Sequence, residues 1–236
     1  MSFTDDEKPP REYVESLMEK APYKKSNQST LESYVDAQAS GEGSYYFEAN
    51  KALLKLYSFL PELADPNKIA LILMLAMLEY PSSSIDWLAL SYLVPERIQR
   101  TEPCSTVVRC NYLLDSCEFV EFWKCYESLS SSPDAEDTYI KALLSGRAKH
   151  DLQKGILQAM ALTYRSARLE TVLSNLNLDR SSASSLTALS LCVESVSDDS
   201  VTFVASTENT KRGRVFQEGI SYGTIANMMS KVVPTE

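Results

Sequence analysis

Apolar and polar positions alternate along most of this chain with the period of a helix. Leu31, Tyr34 and Val35 recur at helical spacing until Gly41-Glu42-Gly43 stops the run. Tyr46, Ala49, Leu53, Leu56, Tyr57 and Leu60 then form one stripe, opposite Glu48, Lys51, Lys55 and Ser58, and Pro61 ends it. Asp65-Pro66 is a start signal: a carboxylate to cap free N–H groups, then proline where no N–H is needed. The helix it opens is apolar on every side, which predicts a central position, and Pro81 closes it. Ser83 or Ser84 caps a further helix bearing Ile85, Leu88, Tyr92 and Leu93, and Val107, Val108, Tyr112 and Leu113 mark another. Phe119, Phe122, Trp123, Tyr126 and Leu129 make a broad aromatic stripe. At this spacing such a stripe is core, not a ligand box.

Residues 130–134 read as a loop, and residues 136–164 as a long helical stretch with a break near Gly146 or Gly155. The pattern predicts stacked helical hairpins without an exact internal repeat. The last third differs. Residues 168–178 predict a short helix with Leu169, Val172, Leu173 and Leu176 inward, and residues 181–191 a Ser-rich one. Val201, Phe203 and Ala205 alternate with Thr202, Val204 and Ser206 as a strand does. Residues 207–213 turn the chain, Arg214-Val215-Phe216 returns as a second strand, and Ser221 opens a final helix with Tyr222, Ile225, Met228 and Met229 on one face. Three helices, a hairpin and a helix are the order of a winged-helix module. The expected division is a partly disordered leader over 1–25, a helical-repeat domain over 26–150, and a winged-helix domain over 151–236.

Composition narrows the chemistry. The 236 residues carry 23 basic and 32 acidic side chains, a formal charge of −9, which repels a phosphate backbone at long range. Five cysteines without a C-x-x-C pair predict reduced, mostly buried thiols, and the acidic N-terminus lacks the basic and apolar segments of a signal peptide. Residues 69–78 are about half of the ~20 apolar residues a membrane span needs. The expectation is a cytoplasmic protein without a membrane contact.

The one histidine, His150, sits between Lys149 and Asp151 with no nucleophile motif nearby, which leaves a histidine-assisted nucleophile or a zinc site without a basis. No phosphate-cradling glycine loop is present. No catalytic residue, cofactor or metal is expected.

Two surfaces remain as candidates. The predicted wing leaves an unpaired strand edge at Val204 and Ser206, and the last helix offers Ile225, Met228 and Met229 to a protein partner. Lys211, Arg212 and Arg214 form the one basic cluster and are the candidate RNA contact, although residues 181–191 lack the Arg and Lys that read nucleic acid.

Several segments are similar to a known family. Residues 31–38 (LESYVDAQ), 47–57 (FEANKALLKLY), 112–123 (YLLDSCEFVEFW) and 220–229 (ISYGTIANMM) resemble, in this order, subunit K of eukaryotic translation initiation factor 3. The resemblance implies a PCI-type architecture: a right-handed superhelical HEAT-like helical repeat followed by a winged helix. It implies a scaffold without catalytic residues, placed beside subunit L in the factor that engages the small ribosomal subunit. A PCI subunit of the proteasome lid or signalosome, and an autonomous nucleic-acid-binding winged helix, are the alternatives.

Overall fold

The computed structural model describes residues 9–82, 84–131, 138–210 and 222–232. Among the described residues ten α-helices precede the first strand: α1 (Arg11–Lys20), α2 (Gln28–Ser40), α3 (Phe47–Phe59), α4 (Pro66–Leu78), α5 (Ser84–Ser91), α6 (Glu96–Gln99), α7 (Cys104–Asp115), α8 (Phe119–Ser131), α9 (Thr138–Ser145) and α10 (Ala148–Thr163). Their ends follow local chemistry. The Asp65 carboxylate accepts from the Asn67 N–H at 2.8 Å and caps α4, with Pro66 at its first position. Gly41 ends α2 at φ 81°, a left-handed conformation suited to glycine.

α4 is the hub of the array. Every residue from Ile69 to Leu78 is buried, because α2, α3, α5, α7, α9 and α10 all pack against it. Each large apolar side chain buried in this way contributes about 1.5–3 kcal/mol. Polar groups also tie the array together. Lys68 of α4 pairs with Asp36 of α2 and lies 4.9 Å from the centre of the Tyr139 ring of α9. The Arg147 guanidinium donates to the Gln38 carbonyl at 2.8 Å, binding the start of α10 to α2. α8 buries its whole aromatic stripe, with Trp123 edge-on to Phe122 and Tyr126 at 5.1 and 5.5 Å between ring centres.

Several expectations are corrected. Within the leader expected over 1–25, residues 11–20 are a helix: α1 buries Val14 completely and packs on α2 and α3. Residues 1–8 of that leader lie outside the described residues, as does Ser83. Of the stripe expected along α5 and just beyond it, Ile85 is 78% and Tyr92 80% exposed and Leu88 is half exposed; Leu93 packs partly buried against the core, and Leu90 is buried. Tyr112 of α7 is exposed as well. The long helical stretch breaks at Gly146-Arg147 and not at Gly155, which lies buried within α10.

Beyond α10 come β1 (Ser166–Arg168), α11 (Leu169–Asn175), a 3-10 turn (Arg180–Ser185), α12 (Leu186–Leu189), β2 (Val193–Val196), β3 (Ser200–Phe203) and α13 (Tyr222–Val232). The strands make one antiparallel sheet in the order β1-β3-β2, with an irregularity in β2 between Val193 and Ser195. The hairpin is therefore 193–203, one strand earlier than the pattern suggested. Its turn runs through Ser197-Asp198-Asp199, where the Ser197 hydroxyl accepts from the Ser200 N–H at 3.1 Å. The Ser-rich helix expected over 181–191 is a 3-10 turn followed by one helical turn. The return strand expected at 214–216 lies outside the described residues.

The sheet region is joined firmly to the helical array. Trp123 Nε1 donates to the Asn175 carbonyl at 2.9 Å, and Gln153 Nε2 donates to the Leu176 carbonyl at 2.9 Å. Asn209 Nδ2 donates to the Ala161 carbonyl at 2.8 Å. Leu152, Ile156 and Leu157 of α10 belong to one hydrophobic core with Val172, Val201 and Phe203. The boundary expected at residue 150 falls inside α10.

Candidate docking surfaces

Val201 and Phe203 are fully buried, as strand alternation demands, so Thr202 and Val204 point the other way. Ala205, expected inward, is exposed. The reason is that β3 ends at Phe203.

The backbone edge expected at Val204 and Ser206 does not exist in that form. β3 is the central strand, and the Val204 N–H donates to the Cys192 carbonyl at 2.8 Å. The Ser206 N–H donates to Asn209 Oδ1 at 2.8 Å. Among the described residues it is β2 and β1 that pair on one side only. Across the sheet end Arg165 and Glu194 form an exposed ion pair at 2.6 Å, which a charged edge would carry against unwanted strand addition. Val204 remains exposed as a side chain, and so does Leu191, at 95%.

α13 is amphipathic, and its apolar face is open: Ile225, Met228 and Met229 are 46%, 64% and 66% exposed. An eleven-residue helix with three large apolar groups in water is poorly stabilised alone, so a covering surface is its natural complement. Methionine suits such a contact, since its unbranched thioether adapts to the shape it meets. Lys211, Arg212 and Arg214 lie outside the described residues. Ile85, Leu88 and Tyr92, expected as a stripe from the sequence but not as an outward one, add to the exposed apolar surface. Periodicity reveals a stripe but not the side on which the core lies.

A groove of about 580 Å³ lies between α11 and the β2–β3 turn. Leu169, Leu173 and Leu178 line it together with Arg168, Asp179 and Asp199. His150 is exposed on α10 and is not among the groove's lining residues. Among the described residues no group of three or more His, Cys, Asp and Glu side chains is placed to hold a metal ion. No described helix is long and apolar enough to cross a membrane.

A helical array packed around one apolar helix, a small antiparallel sheet region, and apolar groups left outside define a mainly helical protein with exposed apolar surface. No family model matches the chain. Similarity to individual proteins does extend over nearly its whole length. It is 28% identical to eukaryotic translation initiation factor 3 subunit K of Dictyostelium discoideum over 228 residues, covering 95% of this chain and 82% of that protein. Subunit K of Homo sapiens is 26% identical over 210 residues, covering 88% and 89% of the two chains. Subunit K of Neurospora crassa is 27% identical over 211 residues, covering 86% and 85%. Over nearly its whole length the chain is thus similar to initiation factor 3 subunit K proteins.

Proposed function

We propose that the chain is a non-catalytic, cytoplasmic scaffold subunit of eukaryotic translation initiation factor 3, working by holding neighbouring subunits in place. The observation that carries this reading is the nearly full-length similarity to subunit K proteins from an amoeba, an animal and a fungus. In this reading the helical array is a right-handed superhelical repeat, and the region beyond residue 150 is a winged helix, together a PCI-type architecture. The order α10, β1, α11, α12, β2, β3, with β3 in the centre of the sheet, supports that assignment. Subunit L is the proposed neighbour, and the small ribosomal subunit is reached through the complex.

The work is positional: binding several partners at once raises their local concentration without any bond being made. Ile225, Met228 and Met229 of α13 are proposed as protein contacts, with the Val204 side chain beside the sheet as a second. Ser206 is proposed there through its side chain alone. Lys211, Arg212 and Arg214 are proposed as an RNA contact.

Replacing Ile225, Met228 and Met229 together with Ser tests the docking role. The tagged variant is expected to fold with an unchanged helical signal and melting temperature, yet to recover the neighbouring subunits in much lower yield than the unsubstituted chain. Full recovery would remove α13 from the interface.

A further inference from the structure

Four of the five cysteines belong to the hairpin of α7 and α8, and two of them meet across it. Cys110 Sγ and Cys125 Sγ are 3.1 Å apart, both within the core, and both are free thiols. The other cysteines take different surroundings: Cys104 donates to the Pro66 carbonyl, Cys192 contacts the Leu157 carbonyl, and Cys117 is exposed in the turn between the two helices. The approach of Cys110 to Cys125 brings two nucleophilic atoms from adjacent helices within about 1 Å of the ~2.05 Å bonding distance of a disulfide.

We propose that Cys110 and Cys125 form a reversible, peroxide-operated disulfide that fastens α7 to α8. Cys125 is the attacking thiol. It is the more accessible of the two, 8% exposed against none for Cys110. The hydrogen bond from Cys110, with the positive charge of Arg109 nearby, also holds the Cys125 thiol below its usual range. Cys110 is displaced upward by the same hydrogen bond and by burial, so it keeps its proton until the second step.

In the first step the Cys125 thiolate attacks one oxygen of hydrogen peroxide. The O–O bond breaks, hydroxide leaves and is protonated to water, and Cys125 becomes a sulfenic acid. In the second step Cys110 attacks the Cys125 sulfur. The S–S bond forms, the S–O bond breaks, and the departing hydroxide takes the Cys110 proton to leave as water. Two thiols are oxidised by two electrons, and one peroxide is reduced to two waters. An external dithiol reverses the step by exchange.

The bond would close a loop between positions fifteen apart in sequence. Such a link restricts the unfolded chain and raises the melting temperature by several degrees. It also anchors α8, whose Trp123 and Glu127 hold Asn175 and Asn177 of the sheet region.

The test uses the full chain, reduced, then treated with hydrogen peroxide while folded, quenched, unfolded and alkylated. Trypsin cuts after Lys124, separating the two sites, although Cys110 shares its peptide with Cys117; the chain carrying Cys117→Ser makes the assignment unique. The expected result is a linked peptide pair lighter by two hydrogens, undone by dithiothreitol, and a higher melting temperature before reduction. In Cys110→Ser, dimedone is expected to label Cys125; if that variant fails to fold, the linkage map of Cys117→Ser decides alone. Recovery of both Cys110 and Cys125 as alkylated thiols after peroxide has fully modified Cys117 in the unsubstituted chain would overturn the proposal. A link from Cys125 to Cys117 would overturn it equally.

Discussion

Gln38 and Asn50 exchange two hydrogen bonds in the interior of the helical array: Gln38 Nε2 donates to Asn50 Oδ1 at 2.8 Å, and Asn50 Nδ2 donates to Gln38 Oε1 at 3.2 Å. Neither side chain is exposed to solvent, and Gln38 Oε1 also accepts from the Tyr46 N–H at 3.0 Å. The pair thereby fixes α2, the start of α3 and the bend between them. Removing one amide strands the other in a place water cannot reach. Asn50→Leu is therefore expected to lose about 1–3 kcal/mol of stability. Adding Gln38→Leu should recover only part of the loss, because the Tyr46 N–H would then be orphaned. Denaturant unfolding of the two single variants and the double variant measures this coupling directly.

The close approach of α10 to the end of α4 depends on a missing side chain. A Cβ at Gly155 would lie 2.3 Å from the Tyr80 carbonyl oxygen, which is backbone and cannot swing away. Alanine would favour the helix by about 1 kcal/mol, but forced separation in a packed core costs about 1–3 kcal/mol. Gly155→Ala is expected to lower the melting temperature despite its better helix propensity. An unchanged or higher melting temperature would show that the two segments part easily.

The cap of α4 gives a smaller, cleaner effect. Asp65→Ala removes the acceptor of the Asn67 N–H and is expected to cost about 1 kcal/mol, whereas Asp65→Asn keeps an acceptor and should lose only part of that. Equal losses in the two variants would mean that the charge, and not the hydrogen bond, carries the cap.

These same residues show what the sequence makes legible. Asp65-Pro66 and Gly41 are local signals, complete within a few residues, and the structure uses both as read. The uniform apolarity of residues 69–78 specified a central helix because no polar side was left to face water. The apolar stripe of α5 was visible too, but its direction depends on what the rest of the fold offers. Ile85, Leu88 and Tyr92 ended outside because Leu90 and the partly buried Trp87 took the inner side. α1 was missed since only a few of its ten residues are apolar, and its burial rests on Val14 and Met18 meeting helices distant in sequence.

The sheet failed for a different reason. Val201 and Phe203 were legible as a strand, but their partner was sought downstream, where Lys211-Arg212-Gly213 resembles a turn. The actual partner, Val193–Val196, is four residues long and carries an irregularity that breaks its alternation. The Val204 edge was misplaced by the same step, because a strand placed first in a hairpin lies at an edge, and β3 instead lies between two neighbours. The apolar face of α13 was legible from spacing alone, since Ile225, Met228 and Met229 fall on one side of any helix through them.

The central claim is that this chain acts by occupying a place in a multi-subunit assembly. Purifying the native protein through a tag from its own cells, at physiological salt, and identifying its companions by mass tests that claim most directly. The account predicts subunits of initiation factor 3 in near-equal amounts, with subunit L among the last to be lost as salt is raised. Recovery of the chain alone, or with proteasome-lid or signalosome subunits in place of initiation-factor subunits, would contradict it.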